Sequence, residues 1–339
     1  MNTTTATKAE TIPALVVGSD EWHAERRKGI GGSDAAAVAG LSQWSTALDV
    51  YYEKIGEGTN EESTAMRRGT LLEPAIRQMY ADETGRQVVQ PEKAFVNTPL
   101  DFVRANLDGV ASGEIVLECK SARDRSGWGE PGTSDIPIVY LCQVQHNMMA
   151  ARMHRTDVAV LFGDFEFTIY PIEADPEFQS LLLEQEAAFW RCVQQRIPPE
   201  PVSSADIQRR WPRGIVDAVA ASSRDVQAAR VLSAVKDSIK SLGEIKEQAE
   251  AILKASIKDA EGLAVDGETL CTWKNARSTD HFDKTRFQRE NPEIYEQYLT
   301  QSSPTRRFLL KGKCSCLDQT TSSLLPPIPT NLLPPPVVA

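Results

Sequence analysis

Apolar and polar residues alternate along residues 103–121 in a pattern that predicts a β-hairpin. Two apolar-rich runs, Val103 to Val110 and Glu114 to Ser121, are separated by the small residues Ala111-Ser112-Gly113. Alternating runs bounded by such a cluster are typical of two strands joined by a tight turn. We therefore expect an antiparallel pair of strands that turns at Gly113.

Three charged residues of this hairpin are candidates for catalysis. Gly113 is the midpoint between positions 108 and 118, so an antiparallel pairing centred there places Asp108 opposite Glu118. The alternation of side chains along a strand puts Glu118 and Lys120 on the same face. Two carboxylates beside a lysine can bind a divalent cation and orient the water that hydrolyses a phosphate ester. The alternative is a hairpin at the edge of a sheet, with all three side chains in solvent.

Helical periods of apolar residues alternate with strand-like runs as far as residue 196. The predicted helices are 48–55, 69–85, 138–154 and 178–196, and the further predicted strands are 88–95, 157–163 and 165–172. A short helix capped by Ser33 or Asp34 is also expected. This order of elements predicts an α/β or α+β core, in which a mixed sheet is flanked by helices.

Two positions have both a structural and a functional interpretation. Thr70 and Glu73 fit the T-x-x-E capping box of a helix, but Glu73 can instead supply an acid to the hairpin site. The glycine-rich turn at residues 29–33 follows the basic run at residues 26–28. Such a turn exposes N–H groups that can bind an anion, although turns of this kind also occur for steric reasons alone.

The chain changes character after the proline-rich stretch at residues 197–201. Residues 223–261 carry apolar and charged residues at helical spacing and predict a helical arm. A hairpin around Asp266-Gly267 and a last strand at 306–310 are expected to follow. We therefore predict a disordered N-terminus (1–14), a main domain (15–201), a helical arm with a small β unit (205–312) and a proline-rich disordered tail (313–339).

Composition and charge exclude several classes of protein. The 339 residues carry a net charge of −10, which argues against a broadly basic nucleic-acid-binding surface but not against a locally basic channel. The six cysteines include no C-x-x-C pair and the four histidines no metal-binding spacing, so neither a disulfide framework nor a zinc site is predicted. No apolar run is long enough to span a membrane and no secretory signal is visible, so we expect a cytoplasmic protein.

Six short motifs follow one another along the first part of the chain. They are W-x3-R at 22–26, GIGGSD at 29–34, GTLLEP at 69–74, LDG at 107–109, LECKS at 117–121 and Y-x2-Q-x-Q at 140–145. This ordered set resembles the phage-lambda-type alkaline exonucleases, which form the YqaJ-like viral recombinase family of the PD-(D/E)xK nuclease superfamily. The resemblance covers residues 19–201 and implies a restriction-endonuclease-like core with a C-terminal helical extension.

The resemblance implies roles for residues of the hairpin and of the preceding helix. Asp108 and Glu118 match the metal-binding carboxylates of the family. The backbone carbonyl of Cys119 matches a further metal ligand. Lys120 matches the lysine that positions or activates the attacking water, and Glu73 matches the helix acid that completes the site.

The resemblance also implies roles for residues farther from the hairpin. Gln143 and Tyr140 match residues of the family that reach the site from the helix at 138–154. Tyr140 and Gln145 are expected to contact DNA. Arg26 with Ser33 match the pocket for a 5′-terminal phosphate.

The activity implied by the resemblance is 5′-to-3′ digestion of linear double-stranded DNA, with Mg²⁺ as the cofactor and Mn²⁺ able to substitute. The product is a 3′ overhang for a single-strand annealing protein. Family members tend to form a homotrimeric ring, and a ring reconciles the negative total charge with DNA binding because only its channel must be positive.

Other functions stay open at this point. Residues 205–339 have no counterpart in the smallest members of the family, so their role is not implied. The same fold also serves endonucleases and junction resolvases. A DNA-binding or assembly factor that no longer catalyses hydrolysis is a further alternative.

Overall fold

A computed structural model describes residues 10–13, 19–58, 63–216, 218–301 and 305–311. The chain forms two compact units, which divide between Arg210 and Trp211. Each unit is described by itself below.

The first unit contains both helices and strands. In chain order they are β1 (Glu10–Pro13), α1 (Asp20–Arg26), α2 (Gly32–Val38), α3 (Ala47–Lys54), α4 (Thr64–Thr84), β2 (Val88–Val89), β3 (Lys93–Asn97), β4 (Leu100–Ala105), β5 (Gly109–Ala111), β6 (Ile115–Ala122), α5 (Ile138–Ala151), β7 (Arg155–Phe162), β8 (Phe167–Glu173), α6 (Pro176–Gln195) and α7 (Ser204–Arg210).

A five-stranded mixed sheet in the order β2-β5-β6-β7-β8 forms the centre of this unit. Strands β6 and β7 are parallel and are connected through α5, whereas the other neighbours are antiparallel. Ile76 of α4 shares an apolar cluster with Leu117 on one face of the sheet. Val144 of α5 shares another cluster with Val116 on the opposite face. The predicted fold class, a mixed sheet flanked by helices, is therefore confirmed.

The central hairpin has the register that its sequence predicts. Strands β5 and β6 pair Gly109 with Leu117 and Ala111 with Ile115, and Gly113 turns the chain with a φ of 92° that favours glycine. Continued by one residue, this register sets Asp108 opposite Glu118.

The alternation from Val103 to Val110 predicts one continuous strand, but the structure breaks this run into two strands, β4 and β5. Strand β4 belongs to a separate antiparallel sheet in the order β1-β3-β4. The carbonyl of Phe102 accepts the N–H of Ile30 at 2.6 Å, and the N–H of Arg104 donates to the carbonyl of Ile30 at 3.0 Å. The backbone of β4 is thus hydrogen-bonded to the segment before α2. The chain therefore leaves the three-stranded sheet before Asp108 and enters the five-stranded sheet at β5.

Two further predictions about the first unit are corrected. Residues 10–13 fall within the predicted disordered N-terminus but pair with β3 as an edge strand, because β3 offers them unpaired backbone groups; residues 1–9 lie outside the described part of the chain. The T-x-x-E capping box is wrong, since α4 begins earlier and the hydroxyl of Ser63 caps it. Thr70 lies inside the helix and donates to the carbonyl of Met66.

The second unit contains α8 (Ser223–Ile257), β9 (Gly262–Val265), β10 (Glu268–Thr272), α9 (Lys284–Glu290) and α10 (Pro292–Gln297). The β9-β10 turn has positive φ at both Asp266 and Gly267, which is the geometry that a D-G pair favours. No strand forms at 306–310 among the described residues, so that prediction is wrong. The predicted tail at 313–339 lies outside the described residues.

None of the described helices is long and apolar enough to cross a membrane.

Candidate active site

The end of the β5-β6 hairpin brings together the charged residues that its sequence singles out. The carboxylate of Asp108 accepts the backbone N–H of Cys119 at 2.8 Å. The Nζ atom of Lys120 lies 2.5 Å from Oε1 of Glu118, because both side chains project from the same face of β6. Glu118 is buried, with only 2% of its surface exposed. The alternative of a fully solvated edge hairpin therefore does not apply.

Helix α5 completes the surroundings of Glu118 with two amides one turn apart. Gln143 donates to Oε1 of Glu118 at 2.6 Å, and Asn147 donates to Oε2 at 3.1 Å. The carbonyl oxygen of the Gln143 side chain accepts a hydrogen bond from Lys120 at 3.0 Å. Both Glu118 oxygens thus have donors, which a buried carboxylate requires.

The electrostatic environment differs between the carboxylates and the lysine. Burial and repulsion from Glu118 raise the pKa of Asp108 well above its ordinary value, and Glu73 adds to the rise. Burial alone would lower the pKa of Lys120, but attraction to Glu118 and Asp108 outweighs it and raises that pKa. Lys120 is therefore a cation at neutral pH in this arrangement and can donate hydrogen bonds.

Helix α4 contributes Glu73 and Arg77 to the same region. Nη1 of Arg77 lies 3.2 Å from Oε1 of Glu73 and also donates to the backbone carbonyl of Asp108. Burial raises the pKa of Glu73, although Arg77 opposes the rise. Arg77 therefore connects the helix acid to the strand that carries Asp108.

Whether a metal ion fits this cluster can be judged from its donors. Glu73, Asp108 and Glu118 supply only oxygen ligands, which Mg²⁺ prefers. Mutual repulsion contributes to the raised pKa values of Asp108 and Glu73, and a divalent cation between the carboxylates would remove that repulsion. Among the described residues, no three acidic, histidine or cysteine side chains already converge as ligands. A cation would therefore have to compete with Lys120 for Glu118, and within that limit the residues fit.

A pocket beside this cluster contains Arg26 and Ser33. Gln143 and Asn147, which hold Glu118, also line it. The guanidinium group of Arg26 lies 3.1 Å from Asp34 and stacks over the ring of Trp22 at 5.0 Å. The pocket and the cluster thus share two side chains of α5.

The walls of this pocket are held by a buried ion-pair network. Nζ of Lys54 lies 2.6 Å from Asp34 and 3.1 Å from the backbone carbonyl of Arg26. Burial alone would raise the pKa of Asp34, but Lys54 and Arg26 hold it well below the ordinary value. Arg26 also lies 3.3 Å from Glu53. Arg26 and Lys54 are thereby fixed in position, and the carboxylates beside them already neutralise part of their positive charge.

The start of α2 is capped differently from the prediction. The carboxylate of Asp34, at the third helical position, accepts the N–H of Gly31 at 2.9 Å. Ser33 is exposed, and in the described part of the chain its hydroxyl group makes no hydrogen bond, so it can bond a ligand. Gly32 packs so closely on α5 that a Cβ atom there would lie 2.2 Å from the side-chain oxygen of Asn147. Glycine at this position lets the pocket adjoin the cluster.

The remaining two predicted residues on α5 have different surroundings. The ring centre of Tyr140 lies 5.1 Å from Nζ of Lys120, within the site. Gln145 is 1% exposed and points elsewhere. Its amide donates to the carbonyl of Glu173 and accepts the N–H of Asp175. The predicted DNA contact of Gln145 is therefore wrong, because two positions along a helix turn the side chain to another face.

Comparison with known proteins shows what this region is similar to. Residues 21–154 match the model of the YqaJ-like viral recombinase domain. This region is therefore similar to the YqaJ-like viral recombinase domain. This agrees with the resemblance read from the motifs, and the matched residues include every predicted site residue.

One relative extends the comparison beyond residues 21–154. The uncharacterized protein YqaJ of Bacillus subtilis (strain 168) is 29% identical over 308 residues, covering 86% of this chain and 94% of that protein. An alignment of that length must extend into the second unit, which begins at Trp211.

Two of the similar solved structures are described as exonucleases. An alkaline exonuclease from Laribacter hongkongensis, LHK-Exo, is 21% identical with a TM-score of 0.44 and covers 57% of this chain and 97% of its own. A phage-related exonuclease from Haemophilus somnus 129PT is 13% identical with a TM-score of 0.41 and covers 50% and 95%.

Three residues of the matched region have roles that the sequence did not predict. Asn147 lies one turn after Gln143 and Arg77 lies one turn after Glu73. Helical spacing from the chosen residues could have identified both. Lys54 gives no such signal, because a lysine at the end of a helix ordinarily faces solvent.

Proposed function

We propose that the protein is a metal-dependent exonuclease that degrades one strand of linear double-stranded DNA in the 5′-to-3′ direction. The observation that carries the proposal is that the Asp108–Glu118–Lys120 cluster and the Arg26–Ser33 pocket share the side chains of Gln143 and Asn147. A strand end bound in the pocket would thus have its next phosphodiester beside the cluster.

The cluster residues have separate roles in the proposed hydrolysis. Asp108, Glu118 and the backbone carbonyl of Cys119 would hold Mg²⁺, which Mn²⁺ could replace, and Glu73 would complete the site. When bound, such an ion makes water a stronger nucleophile and offsets charge on the phosphoryl group.

The lysine and the amide act by position and charge. Lys120, as a cation, would orient the attacking water or stabilise the negative charge that develops on the phosphoryl oxygens. Gln143 keeps the ammonium group in place through its 3.0 Å hydrogen bond. Tyr140 limits the movement of Lys120 from the other side, where its ring packs against Nζ.

The pocket would select strand ends. A terminal phosphate carries more charge than an internal diester, and the guanidinium group of Arg26 with the hydroxyl group of Ser33 can donate charge-assisted hydrogen bonds to it. Asp34 and Glu53 already neutralise part of the charge on Arg26. This would favour a dianionic terminal phosphate over a singly charged diester.

The biological setting follows from the same proposal. The product would be a 3′ single-stranded overhang for a phage-type annealing protein in the cytoplasm, which agrees with the description of the family as viral recombinases. A homotrimeric ring would need a positive surface only in its channel, which is compatible with the net charge of −10.

An endonuclease or junction resolvase of the same fold is the competing function. The catalytic cluster alone is compatible with either activity, because it contacts only the phosphodiester that is cleaved. The pocket beside the cluster favours an end-dependent enzyme.

One set of digestions tests both functions. The purified protein is incubated with Mg²⁺ and duplexes labelled at the 5′ or the 3′ end, with and without a 5′ phosphate, alongside closed circular DNA. An exonuclease of the proposed polarity releases 5′-labelled nucleotides first, prefers the phosphorylated duplex and leaves the circle intact. Cleavage of the circle would favour the endonuclease, and no hydrolysis of any substrate would reject both functions.

A further inference from the structure

Trp44 is a large aromatic residue fixed in an exposed position. It lies in the loop between α2 and α3 and exposes 65% of its surface. The hydroxyl group of Ser42 accepts the backbone N–H groups of Trp44 and Ser45 at 3.1 and 3.3 Å. These local hydrogen bonds hold the loop, so the indole ring is presented to solvent by a defined backbone.

The Trp44 ring is the outer end of a row of aromatic side chains. Its centre lies 6.2 Å from that of Tyr140, with an angle of 36° between the planes. Tyr140 is stacked on Trp128 at 5.3 Å and 26°. Trp128 in turn lies 5.2 Å from Tyr170, which is completely buried. The row therefore extends from the core of the first unit to its surface.

This aromatic row passes directly beside the candidate active site. Nζ of Lys120 lies 5.1 Å from the ring centre of Tyr140, the second member of the row from the surface. An aromatic ring close to a cationic side chain suits a single nucleic-acid strand, since its bases stack and its phosphates are negative.

We propose that the exposed face of Trp44 stacks on an unpaired nucleobase next to the phosphodiester held at Lys120. The inference rests on the proposed nuclease function, which supplies the strand, and it adds a binding site for one nucleoside. Every base has an aromatic face, so the contact would tolerate any sequence. Trp44 is then a positioning residue that fixes the strand after it leaves the duplex.

Binding of a short single-stranded oligonucleotide tests this proposal without metal or turnover. Fluorescence anisotropy in the presence of EDTA compares the wild type with Trp44→Ala and Trp44→Phe. Loss of a stacked base should weaken binding roughly five- to a hundredfold in Trp44→Ala, whereas Trp44→Phe should retain most of the affinity. Trp273→Ala is the matched control, because Trp273 is 50% exposed and belongs to the other unit.

A second comparison separates stacking from an indirect effect through Tyr140. An oligonucleotide with abasic sites in place of its terminal nucleosides lacks the stacking partner but keeps the phosphates. If Trp44 stacks on a base, the abasic oligonucleotide binds wild type and Trp44→Ala with equal affinity. If the substitution weakens binding of both oligonucleotides by the same factor, Trp44 acts through the fold and the proposal is overturned. Equal melting temperatures of the variants confirm that folding is intact.

Failure of this inference can be distinguished from failure of the proposed function. If wild type hydrolyses DNA and binds the oligonucleotide but Trp44→Ala binds equally well, only the stacking site is wrong. If wild type neither hydrolyses duplexes nor binds the oligonucleotide, the nuclease function fails and the stacking site fails with it.

Discussion

Lys120 shows how much of the candidate site depends on one charged group. Its Nζ atom contacts Glu118 at 2.5 Å and Gln143 at 3.0 Å. Substitution of Lys120 by Met keeps the length and apolar stem of the side chain but removes the charge. We expect hydrolysis of duplex DNA to fall about 100- to 1,000-fold, which is typical for loss of one electrostatic contact in a transition state.

The control for this prediction is Lys93→Met, because Lys93 is an exposed lysine of β3 in the same unit. It should retain wild-type activity. The rates are measured under single-turnover conditions, and melting temperatures are compared to exclude unfolding. Hydrolysis by Lys120→Met at the rate of Lys93→Met would contradict the assignment of Lys120.

Arg26 is predicted to determine the preference for a 5′-phosphorylated strand end. Removal of its guanidinium group should slow digestion of 5′-phosphorylated duplex roughly ten- to a hundredfold, which corresponds to one charge-assisted hydrogen bond. Unphosphorylated duplex should be affected much less. Lys54 still pairs with Asp34 in the variant, so the wall of the pocket should remain. The measured quantity is the ratio of the two rates in wild type and Arg26→Ala.

Arg27 provides the matched control for Arg26. It is the next residue along the chain but does not line the pocket. Arg27→Ala should keep the wild-type ratio of rates. An equal fall of both rates in Arg26→Ala would make Arg26 a general DNA contact, and loss of preference only in Arg27→Ala would identify the other arginine.

The sequence predicted the site best where the alternation of side chains along a strand fixes their positions. Glu118 and Lys120 share a face because side chains alternate along a strand, and Asp108 follows from the position of the turn. Gln145 was misplaced because its motif contains two glutamines that α5 directs to different faces. The network around Lys54 could not be predicted, since it depends on how three successive helices pack together, which no local pattern encodes.

At the scale of elements, a buried ion pair connects α5, α6 and β4. His146 is fully buried, and its two ring nitrogens lie 2.7 Å from a Glu186 oxygen and 2.9 Å from the carbonyl oxygen of Arg104. A carboxylate oxygen beside one nitrogen and a carbonyl oxygen beside the other favour a doubly protonated, cationic ring. Burial alone would lower the pKa of His146, but Glu186 outweighs it and raises the pKa.

This pair predicts the direction in which stability depends on pH. A histidine whose pKa is higher in the folded state stabilises the fold fully below its unfolded pKa of about 6.5. That stabilisation is lost as pH rises through the folded value. The free energy of unfolding, measured in urea, should therefore decrease as pH rises above about 6.5. His146→Gln should cost about 3–5 kcal/mol at the lower pH, because Glu186 loses its partner.

The comparison variant for this pair is His154→Gln, because His154 is exposed. His154→Gln should keep the wild-type pH dependence, and His146→Gln should flatten it. An unchanged pH dependence in His146→Gln would show that another group is responsible.

Elements with their own local signals were predicted well. The turn at Asp266-Gly267, the register of the β5-β6 hairpin and the amphipathic helix α6 each follow from a short pattern. The break between β4 and β5 was not predicted, because the backbone of Ile30 pairs with β4. No pattern within residues 103–110 encodes that contact.

At the scale of the whole molecule, the first compact unit extends to Arg210, past the boundary predicted at residue 201. The prolines at residues 198–201 resemble a linker, but α7 follows them and packs back on α3. Buried Asp206 accepts the hydroxyl group of Thr46 at 2.9 Å. Arg209 lies 2.8 Å from Asp49. These contacts attach α7 to the first unit.

Two shortened chains test the role of α7. A chain that ends at residue 210 keeps the contacts of Asp206 and Arg209, whereas a chain that ends at residue 205 loses both. Loss of these hydrogen bonds should lower the melting temperature of the shorter chain by roughly 3–10 °C. It should also expose the ring of Tyr52, over which Arg209 packs at 4.3 Å. Thermal unfolding and gel filtration of the two chains provide the measurement.

Asp206→Ala in the full chain is the point variant that matches this deletion. It should lower the melting temperature in the same direction as the end at residue 205, because Thr46 loses the same acceptor. Equal melting temperatures for the chains ending at 205 and 210 would show that α7 does not stabilise the first unit. If both shortened chains are less stable than the full chain by the same amount, the residues after Arg210 provide the stabilisation instead.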